Sequence, residues 1–243
     1  MALLPRLRRL LGRPVSASRV GARRPSSSRH GDLPQEDALR AALGDDPNDE
    51  RAFAALAEIV RRHAVTSTDD DPLTADAEDT GPEGIDGGST PDAILAAQAE
   101  RQRAADLAVW ALGEELSGNP RAWYPLVEVA RLSVRDDLEG TLRRLTTAAE
   151  RDPSGKALLA GLQLLREAGL PVEALNLGTG HWHPREHDPA VGRELVLAAV
   201  QADRPLDAKQ HLASLELAPH PSRTTAMREE LAALVARAEQ PGA

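Results

Sequence analysis

The densest chemistry in the chain lies in residues 177–188, LGTGHWHPREHD, where three of the seven histidines, His181, His183 and His187, fall within seven positions. His183-Pro-Arg-Glu186-His187 spells H-x-x-E-H, a spacing that on a helix brings two imidazoles to one metal ion and leaves the glutamate as a base. Pro184 and Pro189 confine any helix there to about one turn, and no downstream acid stands out as a third protein ligand. A metal-binding or metal-dependent protein centred on His181, His183 and His187 is therefore one reading. A loop in which Trp182 packs on neighbouring helices and the histidines are solvated or hydrogen-bonded is the plainer one. Other catalytic signatures are missing. Gly178-Thr179-Gly180 is too short for a dinucleotide fingerprint and follows no predicted strand. Ser154-Gly155-Lys156 lacks the earlier glycine of a phosphate loop, no serine sits in a nucleophile elbow, and the absence of cysteine excludes thiol chemistry and disulfides. The expectation is a protein that is not an enzyme and needs no cofactor.

The elements that must position these residues follow from composition. Hydrophobic residues make up 41% of the 243-residue chain but aromatics only 2%, so the core is built from Leu, Ala and Val, which suits closely packed helices. Lysine is rare beside arginine, and Ala, Asp and Gly are abundant, a usage that points to GC-rich, bacterial coding. The net charge of −9 is unevenly spread. Residues 1–31 hold eight arginines and no acid, so the rest of the chain carries −17. An acidic body of that kind disfavours nucleic acid as a ligand. No apolar run approaches the roughly 20 residues that cross a bilayer, and a cytoplasmic location is expected.

Four segments can be separated. Residues 1–32 form a basic Arg/Ser-rich tail in which Leu3, Leu4, Leu7, Leu10 and Leu11 share a helical stripe. A solvated tail, a peripheral membrane contact and a targeting segment are its alternatives. Residues 33–65 read as a first helical pair, the second helix carrying Phe53, Leu56, Ile59 and Val60 at helical spacing. Residues 66–90 are acidic, rich in Gly, Pro, Ser and Thr and without Lys or Arg, the composition of a disordered loop. A calcium loop beginning at Asp76 fails because its twelfth position is Gly87. Residues 91–238 are helix after helix. The first runs from a Thr90 cap to about Ser117 and is expected to bury Ile94, Leu95, Leu107, Val109, Leu112 and Leu116. The last, from Ser222 to about Ala238, has the polar character of a capping helix.

Turn-forming prolines punctuate the chain at Pro47, Pro120, Pro153, Pro189 and Pro221. The last four are nearly evenly spaced, and the first interval is two periods that include the acidic insertion. Asn119-Pro120-Arg121-Ala122-Trp123-Tyr124 opens one unit and Asp152-Pro153 the next. Gly169-Leu170-Pro171-Val172-Glu173-Ala174 and Pro205-Leu206-Asp207-Ala208 read as turns leading into the second helix of a pair. A period near 34 with these starts resembles the tetratricopeptide-repeat family, over about 45–60 and 91–238. The resemblance implies an all-α, right-handed α-solenoid of about four helix-turn-helix repeats. It also implies a non-catalytic scaffold or adaptor that binds a peptide or protein segment on the concave face of the first-helix series. Trp123, Tyr124, Arg131 and Arg193 become candidate contact residues, with core packing as the alternative for Trp123 and Tyr124. An adaptor held at a membrane through residues 1–31 is a further alternative.

Overall fold

A computed structural model describes residues 33–69, 91–218 and 221–239 of the chain. The expected helix class holds: the described residues form ten α-helices and no strand. They are α1 (Leu33–Asp45), α2 (Glu50–Asp69), α3 (Pro91–Ser117), α4 (Tyr124–Ser133), α5 (Leu138–Arg151), α6 (Lys156–Glu167), α7 (Pro171–His181), α8 (Pro189–Gln201), α9 (Pro205–Ser214) and α10 (Pro221–Ala238), with a 3-10 turn at Leu215–Leu217 after α9. Among the described residues no helix is long and apolar enough to cross a membrane. The basic tail lies outside the described residues, as does the calcium reading of the acidic loop.

Local chemistry explains the punctuation. The side chain before each of four prolines accepts a hydrogen bond from the backbone N–H two residues on: Asp46 from Asn48 (3.0 Å), Asn119 from Arg121 (3.0 Å), Asp152 from Ser154 (3.1 Å) and Asp188 from Ala190 (2.8 Å). An Asx side chain that closes its own turn, followed by a proline with φ already fixed, is a strong chain reverser. Pro171, Pro189 and Pro205 occupy the first position of α7, α8 and α9, where the missing N–H has no partner to lose.

The returns after α6 and α8 are the same structure, one repeat period apart. Leu170 N–H donates to Leu165 O and Arg204 N–H to Ala199 O, both at 2.8 Å. Gly169 and Asp203 hold left-handed φ of 76° and 55°. This is the six-to-one bond of a helix C-terminal reversal. The return after α4 differs: Asp137 caps α5 through Gly140 N–H at 2.8 Å.

Each helix packs on its neighbour in sequence, and α4, α6, α8 and α10 also pack on one another in series, as α5 does on α7. Short connections between packed helices make the partners antiparallel, so the returns 134–137, 168–170 and 202–204 lie at one end. Gly140, Ala174 and Ala208, again one period apart, are all buried where the second helix of each pair crosses its partner. Gly178 is another close crossing, since a β-carbon there would strike the side chain of Leu195.

The core has two parts. Leu43, Phe53, Leu56, Val109 and Leu112 knit α1, α2 and α3. A larger cluster runs from Trp123 through Leu145, Leu162 and Leu195 to Val235 in α10. Tyr124 packs against both, with its ring edge-on to Phe53 (centroids 5.4 Å) and to Trp123 (5.8 Å). Two polar clamps secure the joint. Asn48 accepts from Trp123 N–H and Tyr124 N–H (2.7 and 3.0 Å) and donates to Arg121 O (2.9 Å). Arg151 donates to Ser117 O, Asn119 O and Ala122 O at 2.9–3.1 Å.

Two expectations need correction. Residues 66–69, assigned to the loop, continue α2, in which the Thr66 and Ser67 hydroxyls donate back to carbonyls of the preceding turn. In α3, Val109 and Leu112 are buried and Leu116 is half-buried, but Ile94, Leu95 and Leu107 are exposed, as is Trp110. Ile94 and Leu95 lie on the same face as Val109 and Leu112, toward the exposed N-terminal end of this 27-residue helix, whereas Leu107 and Trp110 lie on the sides turned away from that face.

Candidate functional site

Helices α4, α6 and α8 each carry one polar stripe, exposed in part and buried at Glu194. On α4 it carries Tyr124, Glu128 and Arg131. On α6 it carries Gln163, Arg166 and Glu167, and on α8 Arg193, Glu194 and Gln201. Tyr124 is half-buried, and its phenol is pushed up to about 12, first by burial and then by the carboxylates of Glu128 and Glu50. It therefore stays protonated, a hydrogen-bond donor, at any physiological pH. Arg131 is exposed and pairs with Glu128 at 3.5 Å.

The second cluster lies between α6 and α8. Glu194 is 4% exposed and takes two guanidinium groups. Arg166 reaches across from α6, and Arg193 approaches at 3.1 Å from the adjoining position on α8. Arg166 also donates through Nε to Gln201 Oε1 at 2.9 Å. Arg166, Glu194 and Gln201 line a cleft of about 310 Å³ together with Gln163 and Glu167. A carboxylate this deeply buried is compensated by pairing with cations, which here come from two helices. The cleft thus offers fixed donors and acceptors on a rigid floor, suited to amide groups or charged side chains of a bound segment.

Of the four residues expected from sequence to contact a partner, Tyr124 is half-buried and Arg131 exposed on α4, and Arg193 is half-buried on α8 beside Glu194. Trp123, 8% exposed, is part of the core. Arg166, Glu194 and Gln201 were not foreseen. Glu194 carries the one usable signal, a single acid inside the apolar run Val191 to Val200, but its partner Arg166 sits two helices earlier and nothing local announces it.

The histidine loop resolves differently from a metal centre. His181 ends α7, so Gly178 and Gly180 are helical. The stretch from His183 to His187 is a single turn, with the N–H groups of Glu186 and His187 donating to His183 O at 3.0 and 2.9 Å. His187 is 5% exposed and edge-on to His183 (centroids 5.2 Å). Its Nδ1 faces the His183 N–H at 3.4 Å, while Gly155 lies against its ring. Burial first, and then the neighbouring His183, hold it below the ordinary imidazole value, against the opposing pull of Asp152 and Glu186. Trp182 is half-buried, edge-on to His211 (5.8 Å). Among the described residues no group of three His, Cys, Asp or Glu side chains is placed to hold a metal ion.

No protein-family model matches the sequence, and no curated protein or solved structure matches it either.

Proposed function

We propose that the chain is a non-catalytic interaction scaffold. In this reading it is a right-handed, tetratricopeptide-like solenoid whose first-helix face, from Tyr124 to Gln201, binds a peptide or protein segment. The observation that carries the proposal is the polar stripe repeated on α4, α6 and α8, which on α6 and α8 lines the Arg166–Glu194–Gln201 cleft. The recurrence of identical returns one period apart supports the repeat architecture, because a stack of like units exposes like faces. A groove lined by guanidinium, carboxylate, carboxamide and phenol suits a polar, extended segment.

The test is site-specific photocrosslinking in the native cell. A photoreactive amino acid replaces Gln163 or Arg193 on the proposed face, and Glu150 on the last turn of α5 as control. The expected result is one partner captured from both face positions and not from Glu150. Equal capture from all three positions, or none from the face, would overturn the assignment.

A further inference from the structure

Three exposed apolar side chains recur with the period of the fold. Leu138, Val172 and Leu206 are evenly spaced at the N-termini of α5, α7 and α9, and are 36%, 39% and 77% exposed. Because the helices alternate in direction, all three lie at the same end of the molecule. An acid follows each of them, Glu139, Glu173 and Asp207. Acids there complement the helix N-termini, but nothing in helix chemistry asks for a bare leucine or valine beside them. Over 135–139, 167–173 and 201–207 this edge holds seven acidic residues, of which Glu139 and Asp137 pair with Arg143 and Arg144; against these two and Arg135 and Arg204 the net is −3.

A surface that is acidic and studded with apolar side chains fits a ligand that is basic and carries apolar side chains of its own. One such segment belongs to the chain itself. Residues 1–31 contain eight arginines, no acid, and Leu3, Leu4, Leu7, Leu10 and Leu11. We propose that this edge is the docking surface for residues 1–31 of the same molecule, their arginines meeting its carboxylates while their leucines cover Leu138, Val172 and Leu206. Reach is no obstacle, since a segment of this length extends up to about 100 Å. Tethering raises the segment's effective concentration to the order of millimolar, so a weak surface is enough. The other exposed apolar set, Ile94, Leu95, Leu107 and Trp110 on α3, is interspersed with Asp92, Glu100 and Asp106 as well as Arg101 and Arg103, a net of −1 over 92–110, and is the competing surface that the test separates.

The chain has no cysteine, so two can be introduced cleanly. Ser18→Cys and Asn176→Cys, one turn beyond Val172, are spin-labelled in the full chain, diluted with unlabelled protein, and the distance distribution is measured by pulsed electron paramagnetic resonance. The expected result is a narrow short-distance population. It is lost in the Leu138→Ser, Val172→Ser, Leu206→Ser variant, and it shrinks as salt rises from 0.1 M to 1 M and the screening length falls from about 10 Å to about 3 Å. Leu138 and Val172 are only 36% and 39% exposed, so Leu206→Ser alone is measured too; at 77% exposure it leaves circular dichroism and the thermal midpoint at the parent values. A broad distribution that the triple variant leaves unchanged overturns the proposal. So does a narrow population that survives the triple variant but is lost in Leu95→Ser, Leu107→Ser.

Discussion

Asn48→Ala is the substitution that tests how the two cores are joined. The N-terminus of α4 has no cap of its own, since its N-cap residue is Trp123, whose side chain makes no capping bond. The cap arrives from the turn between α1 and α2: Asn48 Oδ1 accepts the Trp123 and Tyr124 N–H groups at 2.7 and 3.0 Å, and its Nδ2 donates to Arg121 O. Removing a cap costs about 1–2 kcal/mol. A second N–H left unpaired in a buried setting adds about 1–2 kcal/mol, for a total of about 2–4 kcal/mol. Asn48→Asp keeps the acceptor and places a charge favourably at the helix N-terminus. It loses only the exposed bond to Arg121 O and stays within about 1 kcal/mol of the parent. Urea unfolding followed by circular dichroism gives both differences, and amide hydrogen exchange at Trp123 and Tyr124 reports the cap directly. If alanine and aspartate cost the same, or alanine costs less than about 0.5 kcal/mol, the long-range cap is not what joins the two cores.

Further expectations rest on separate features. Gly155 has φ 81°, and a β-carbon there would meet His187 Cγ at 2.7 Å. Gly155→Ala should therefore destabilise by about 2–4 kcal/mol in thermal melts, and a loss under about 1 kcal/mol would contradict the packing. Asp203 repeats the left-handed conformation of Gly169 without being glycine, so Asp203→Gly should raise stability by about 0.5–1 kcal/mol, measured by urea titration. Glu194→Ala strands Arg166 between α6 and α8. It should cost about 2–4 kcal/mol in urea, nearly independent of salt because the pair is shielded from solvent, whereas an exposed pair would lose its effect at 1 M.

Acidification should weaken the fold through two histidines. His187 and His211 are both held below the ordinary value of 6.5, chiefly by burial. The unfolded chain then binds more protons than the native one as pH falls below about 6.5. Their contribution is complete above that pH and declines on the way down to the folded values. Urea midpoints between pH 7.5 and 5 should fall, and His187→Gln should flatten the slope.

The turns were the most legible part of the chain. Asp46-Pro47, Asn119-Pro120, Asp152-Pro153 and Asp188-Pro189 could be read as starts because an Asx side chain and a following proline act over a few neighbouring positions, and no distant contact is needed to close them. Helix class was equally open, since a core of Leu, Ala and Val with almost no aromatics favours helices whatever the topology. Ile94 and Leu95 show where this reasoning stops. Apolar spacing marks a face that could be buried, but whether anything lies over it depends on the lengths of α2 and α4 beside the 27 residues of α3. The histidine loop shows the same boundary. H-x-x-E-H is legible as spacing, yet whether its imidazoles converge is set by the turn at Pro184 and by the packing of His187 under Gly155.

By itself, then, the sequence determined the local structure: which segments are helical, where they reverse, and that acid and base are segregated along the chain. Tertiary structure alone decided the long-range pairings. They are Asn48 capping α4, Arg151 closing the 117–122 loop, Glu194 meeting Arg166, and the three apolar side chains coming to one end. Helices and Asx turns are fixed by interactions between near neighbours in the chain. A pairing between distant positions exists only after antiparallel packing has set which helix faces meet.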